Sequence, residues 1–151
     1  MANKKSKVVD TQQPENKGFA LWQLSNQWQR GLNSVLKEYD LTHVQYILLE
    51  AIVQLGDSYD QLTQKSLADH ANANTMMTSK VLRSLEQKGF IHRVGHEVDT
   101  RAKHVTITKD GKALYKKVSK RVEQYDNQFF GTLGSKLSAF TSALDILSAG
   151  L

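Results

Sequence analysis

The chain has 151 residues, of which 40% are hydrophobic and one is proline, with no cysteine and a formal net charge of +5. These values suit one ordinary core and exclude disorder of the whole chain, disulfides, thiolate metal sites and thiol redox sensing, while the positive balance favours polyanionic partners such as nucleic acid. No apolar run approaches the roughly 18 to 20 residues of a membrane span, and the start MANKKSKVVD has no apolar signal core behind its lysines, so a cytoplasmic protein with no membrane partner is expected.

Residues 1–16 hold Lys4, Lys5, Lys7 and the single proline with almost nothing to pack, and read as a flexible, solvated tail that could also touch phosphates. From Phe19, the residues Leu21, Leu24, Trp28, Leu32, Val35, Leu36 and Tyr39 recur at three and four, predicting a helix over 17–39. Thr42 followed by Gln45 is a capping-box pattern, with Val44, Ile47, Leu48, Ala51, Ile52 and Leu55 on the buried face of a second helix that Gly56-Asp57-Ser58 stops. Thr63 caps a third, short helix. In the following turn, Asn72 suits a left-handed conformation and Asn74 suits an N-cap. The fourth helix puts Thr78, Val81, Leu82 and Leu85 inward and ends at Gly89.

After Gly89 the hydrophobic period falls to two, predicting strands over 90–94 and 102–108 around a tip at Gly95 to Arg101. Thr108 caps a long fifth helix whose first turn Gly111 weakens, and Gly131 and Gly134 bracket a bend. In the last helix Leu137, Phe140, Leu144, Leu147 and Leu151 form a narrow seam suited to another helix, such as one from a second subunit. The expected fold class is mainly α with a small β-hairpin wing: a winged helix-turn-helix with helices at both ends.

If Thr78, Val81, Leu82 and Leu85 face the core, then Thr75, Met76, Ser79, Lys80 and Arg83 face outward, with Met77 at the boundary. Short polar groups at a helix start with cations further along suit a major groove. Thr75 and Ser79 can bond base edges, Met76 can meet a thymine methyl, and Lys80 or Arg83 can reach guanine or phosphate. The same face taken alone also fits a solvated amphipathic helix; the adjoining turn, short helix and wing favour readout. Past the hairpin tip, Asp99 and Arg101 can pair and hold the guanidinium for a minor groove, with Lys103 and Arg93 placed for phosphates. From Thr63 to Thr108 seven Lys/Arg stand against four Asp/Glu, a net of +3.

At these residues the chain resembles the MarR family of bacterial transcription regulators. The matching text is LADHANANTMMTSKVLRSLEQKGFI, Leu67 to Ile91, then VDTRAKHVTITKDG, Val98 to Gly111, with the opening Leu41-Thr-x-x-Gln45-Tyr-x-x-Leu49 resembling the family's second helix. The resemblance covers about residues 18 to 148. It implies a homodimer whose first and last helices interlock, two recognition helices on a pseudo-palindromic operator in double-stranded DNA, and repression relieved by a small aromatic ligand. It further implies Thr75, Met76, Ser79 and Lys80 as base readers, Arg101 as the minor-groove residue and Asp99 as its support. Residues 1–16 are then the tail and 17–151 one MarR-like domain, with dimerisation helices at 17–39 and 109–151 and a DNA-binding lobe at 41–108. Trp22, His43 and Tyr46 are candidates for the effector pocket, although aromatics at helical spacing also fit a core. The short, less basic tip Gly95-His-Glu-Val departs from the family, and the absent cysteines exclude its thiol-oxidation sensors.

His70, His92, His96 and His104 make a metal site conceivable, with His92 and His104 as possible neighbours across the hairpin, but no tight ligand spacing supports it and surface histidines fit better; no cofactor or metal is expected. An enzyme is disfavoured, since there is no phosphate-binding glycine loop, nucleophile elbow, cysteine nucleophile or H-E-x-x-H. The alternative function is a winged-helix module that binds a protein partner without specific DNA binding, for which Met76 and Met77 are the only favourable outward residues.

Overall fold

The computed structural model describes residues 16–56, 62–95 and 103–150. The order is α1 Lys17–Lys37, α2 His43–Gly56, α3 Gln64–His70, α4 Thr75–Gln87, β1 Ile91–Gly95, β2 Lys103–Ile107, α5 Lys109–Gly131 and α6 Leu137–Ser148, with a 3-10 turn at Gly134–Lys136. This is the mainly helical, winged helix-turn-helix architecture that the periodicities predict. No described helix is long and apolar enough to cross a membrane. Asp99 and Arg101 lie outside the described residues, as do His96, Glu97 and Leu151.

Helix ends are set by local chemistry. At the start of α2, the Thr42 hydroxyl accepts the Gln45 N–H at 3.2 Å while Gln45 Oε1 accepts the Thr42 N–H at 2.9 Å, the reciprocal capping box. Thr63 and Ser66 make the same exchange at α3. Three helices close with a left-handed residue and back-bonded amides. Asp40 (φ 53) follows α1, Asn72 (φ 47) follows α3, and Gly89 (φ 78) follows α4. After α1, the Leu41 N–H donates to Leu36 O at 3.2 Å and the Asp40 N–H to Lys37 O at 3.1 Å. That closure ends α1 at Lys37, two residues short of the end that apolar spacing alone predicts.

α2 occupies the centre, touching α1, α3, α4, α5 and β2. Its Leu48, Leu49, Ala51 and Ile52 are buried with Leu32 and Leu36 of α1, Leu67 of α3, Leu82 and Leu85 of α4, Ile91 and Val105 of the wing, and Val118 and Val122 of α5. The wing strands pair antiparallel in the register Ile91 with Ile107 and Arg93 with Val105, which turns Ile91 and Val105 to the core. A short bridge between Thr63 and His104, with the Val105 N–H on Leu62 O at 2.8 Å, ties the wing to the chain before α3. In this register His92 stands opposite Thr106 and His104 opposite Val94, so the two histidines are not cross-strand partners.

β2 ends at Ile107 because Thr108 turns to other work. Its N–H donates to Phe90 O at 3.0 Å, its hydroxyl donates to Gly89 O at 2.8 Å, and the hydroxyl oxygen accepts the Gly111 N–H at 3.0 Å as the cap of α5. Gly111 is therefore more than a weak point in the first turn. It is buried, and a β-carbon built there would stand 2.1 Å from the Phe90 carbonyl oxygen, a backbone atom that cannot yield cheaply.

Helix propensity alone would make Gly111→Ala stabilising by about 1 kcal/mol, but the close approach of Phe90 reverses the sign. The variant is expected to lose roughly 1–3 kcal/mol of unfolding free energy, read as a lower denaturant midpoint with an unchanged slope; a raised midpoint would show that the α5 start can move away from Phe90.

Candidate nucleic-acid interface

α4 begins where Asn74, in extended conformation, accepts the N–H groups of Met76 and Met77 at 2.9 and 3.3 Å. The Thr78 hydroxyl donates to Asn74 O at 3.0 Å, which satisfies the one polar side chain on the buried face. Thr78, Leu82 and Leu85 are fully buried and Val81 partly so. With about 100° per residue, this fixes the opposite face. Met76, Lys80 and Arg83 are exposed on it and Ser79 is half-buried at its edge, while Thr75, one turn before Thr78, is exposed as the first residue of the helix. Met76 is the most exposed large hydrophobic residue of those described, at 83%, and Met77 at 43% stands on the open side of the boundary. Neither Lys80 nor Arg83 is ion-paired with a described residue.

Two side-chain contacts hold this helix in place. Buried Gln45 donates through Nε2 to Ser84 Oγ at 2.9 Å, linking the start of α2 to the middle of α4. Arg93 of β1 donates from Nε and Nη2 to Glu86 Oε2 at 2.8 and 2.6 Å, from its own backbone N–H to Glu86 Oε1 at 3.1 Å, and from Nη1 to Gln64 Oε1 at 3.2 Å. The guanidinium is thus shared by α3, α4 and β1, and its side chain is only 8% exposed. This corrects the expectation that Arg93 serves a phosphate, since its donors are already committed inside the lobe. Lys103 remains exposed on β2. The seven-residue separation of Glu86 and Arg93 spans a helix end, a left-handed glycine and a strand, so no simple periodicity announces the pair.

The hydrogen bonds from Arg93 hold the Glu86 carboxyl below the usual carboxylate range, against a smaller opposing effect of burial. A depressed carboxylate stabilises the fold above its unfolded pKa and loses that contribution as pH falls through the folded value.

A cleft of about 480 Å³ lies between α1, α2 and α5, lined among others by Trp28, His43, Tyr46, Glu50, Glu123 and Asp126. Trp28 Nε1 donates to Asp126 Oδ1 at 2.8 Å, and its ring meets His43 edge-on with centroids 5.5 Å apart. Burial pushes the His43 pKa down, opposed by Asp126. Tyr46 is raised, first by burial and then by Glu50. His43 and Tyr46 therefore line one cavity, but Trp22 does not. Trp22 is 62% exposed and stacks on Phe19 at 5.9 Å, because the helical turn that carries it runs beyond the cleft. Trp28, read from the sequence only as a core residue, takes that place.

A third surface is apolar. No described residue of α6 is buried, and Leu137, Leu144, Ile146 and Leu147 stand exposed with Phe19, Leu21, Trp22 and Leu24 of α1. A hollow of about 500 Å³ beside them is lined by Leu24 of α1, by Tyr125, Phe129 and Phe130 of α5, by Leu133, and by Phe140 of α6, among others.

Residues 31–118 match the family described as transcriptional regulator SarA/Rot. An uncharacterised HTH-type transcriptional regulator of Bacillus subtilis, YdcH, is 36% identical over 130 residues, 86% of this chain and 88% of that protein. The structure of Staphylococcus aureus MepR in complex with DNA superposes with a TM-score of 0.78 at 21% identity, covering 91% of this chain and 100% of that one. CouR of Rhodococcus jostii bound to p-coumaroyl-CoA superposes with a TM-score of 0.76 at 19% identity, covering 91% and 94%.

Glu86→Gln removes the charge partner of Arg93 while keeping the shape. The variant is expected to be less stable than the parent at neutral pH by about 1–2 kcal/mol, a figure discounted for the partial exposure of Glu86. The difference in Tm should shrink as pH falls below the carboxylate range; a gap independent of pH would show that the carboxylate charge contributes nothing.

Proposed function

The chain belongs to the SarA/Rot family of transcriptional regulators, DNA-binding proteins of the MarR-type winged helix-turn-helix fold, and from that premise we propose a homodimeric, sequence-specific repressor that a small aromatic ligand releases from a pseudo-palindromic operator. The observation that carries this reading is the outer face of α4, where Thr75, Met76, Ser79 and Lys80 lie together on a helix whose other face is locked into the core. A helix held at this rotation presents its first turns to a major groove, where short hydroxyls, a thioether and a lysine match base edges and a thymine methyl. Arg83 and Lys103 supply the phosphate contacts, and Arg101, supported by Asp99, is the minor-groove residue of the proposal. A module serving a protein partner would need a contiguous apolar patch on this face, and only Met76 and Met77 favour that reading.

The second half of the proposal is the partner copy. One copy leaves the α6 seam and the N-terminal half of α1 uncovered, and both are apolar at helical spacing. A two-fold dimer through these helices buries them against each other and sets two α4 helices for two half-sites.

For the effector, the cleft beneath α2 is the proposed seat, and a fold neighbour solved with p-coumaroyl-CoA supports a small-molecule ligand. Among the described residues its lining carries Glu50, Glu123 and Asp126 with no lysine or arginine, so a neutral or cationic aromatic suits it better than an aromatic carboxylate.

The test is fluorescence anisotropy on a duplex selected by the protein from a random library, against a shuffled duplex and across a salt series. Selective binding with a finite salt slope is expected, and equal weak binding to both would point to the protein-partner reading. Lys80→Ala should weaken binding to the selected duplex by about 1–3 kcal/mol and barely change the shuffled one; equal losses on both would make Lys80 a phosphate contact.

Replacing Leu144 and Leu147 by glutamate should convert the dimer to a folded monomer in sedimentation velocity, with helical circular dichroism retained and operator affinity reduced by at least about tenfold. A dimer that survives both charges would place the subunit contact elsewhere.

A further inference from the structure

The chain has three methionines, and the two besides Met1 stand side by side in the first turn of α4, as Met76 and Met77. They are not filling a core. Met76 is 83% exposed and Met77 43%, and Met76 lies on the face assigned to base contact. A thioether so exposed is the softest nucleophile that the described residues of this cysteine-free chain offer to a two-electron oxidant. We propose that Met76, with Met77 beside it, is a reversible oxidation site through which a hypohalous acid lowers the affinity of the protein for its operator. This rests on the reading of the α4 face as the DNA-binding surface.

The chemistry is an oxygen transfer. With hypochlorous acid, sulfur gives up two electrons and gains the oxygen, chlorine is reduced to chloride, and one proton passes to water; the product is the methionine sulfoxide. The thioether is a weak acceptor and an apolar body, suited to a thymine methyl. The sulfoxide is a strong dipole whose oxygen must keep a hydrogen-bond donor when water is excluded. The Met76 and Met77 N–H groups already donate to Asn74 Oδ1, so the donors left to the sulfoxide oxygen on this face are those of the base-reading side chains, Ser79 and Lys80. The oxygen therefore takes a donor away from base reading, or holds water where the methyl group sat. The side chains point away from the packed face formed by Thr78, Leu82 and Leu85, so oxidation alters the reading surface without opening the core.

The full chain would be titrated with hypochlorous acid, quenched, and divided between peptide mass spectrometry and anisotropy on the selected and shuffled duplexes. Sulfoxide is expected at Met76 as affinity for the selected duplex falls by about tenfold or more, the loss of one good base contact. Incubation with the two methionine sulfoxide reductases should restore it, and saturating selected duplex should protect Met76 from oxidation. Met76→Leu with Met77→Leu should keep its affinity through the same exposure. Sulfoxide at both positions with unchanged affinity would overturn the proposal, as would an equal loss in the leucine variant. Should that variant bind poorly before treatment, the reductases decide alone: recovery of the oxidised parent supports the proposal and no recovery overturns it. Failure of the DNA-binding reading itself shows separately, as untreated protein that prefers no duplex.

Discussion

The rotation of α4 about its own axis is the constraint on which the rest of the structure depends. Thr78, Leu82 and Leu85 are fully buried, and each leucine contributes about 1.5–3 kcal/mol through burial. A turn of one residue in one sense would bury Arg83 in place of Leu82, a charge that costs more than the packing could return, and in the other sense would trade Leu82 and Leu85 for Val81 and Ser84. Hydrophobic contact sets the orientation only coarsely. Directional bonds refine it: Asn74 fixes the start, the left-handed Gly89 fixes the end, Gln45 holds Ser84 in the middle, and Arg93 holds Glu86. Each of these uses the buried or boundary side of the helix. The outer face is left free of internal obligations, and that freedom is what a recognition surface needs.

The parts of this arrangement that were legible in the sequence are those set within a few residues. The capping exchange of Thr42 with Gln45, the caps at Thr63, Asn74 and Thr108, and the left-handed Asn72 all follow from side chains that bond their own neighbouring backbone. The period change after Gly89 revealed the wing for the same reason. What the sequence did not disclose depends on distance through space. Nothing near Arg93 in the chain indicates that Gln64 waits for its guanidinium, and nothing near Gly111 indicates that the Phe90 carbonyl presses on it. Trp22 and Trp28 share the same apolar helical pattern, yet α5 and α2 close over only one of them. The bridge of Thr63 to His104 was invisible because a two-residue pairing leaves no alternation to read.

Polar groups inside the lobe show a consistent economy. Gln45 uses its oxygen to cap α2 and its amide to reach α4, so one buried side chain satisfies both of its ends and couples two helices. Arg93 serves three elements with one guanidinium, whose planar fork suits this where a lysine ammonium would not. The consequence reaches the surface. With Arg93 removed from the outward cations, Lys80, Arg83 and Lys103 are left as exposed cations of α4 and the wing, where a groove and its phosphates would lie in the proposed complex.

The placement of α2 also determines how a ligand could be felt at DNA. His43, Tyr46 and Glu50 face the cleft from the same helix whose Gln45 holds Ser84. A ligand lodged against His43 and Tyr46 therefore presses on one side of a helix whose other side sets the rotation of α4. The opposite wall of the cleft, with Trp28 bonded to Asp126, belongs to α1 and α5. In the proposed dimer α1 is anchored to the partner copy and α5 is packed on α1, so a ligand that widens the cleft has one movable wall, α2, which is the helix bonded to α4. Differential affinity for the widened and closed forms is the only quantity such a ligand must supply.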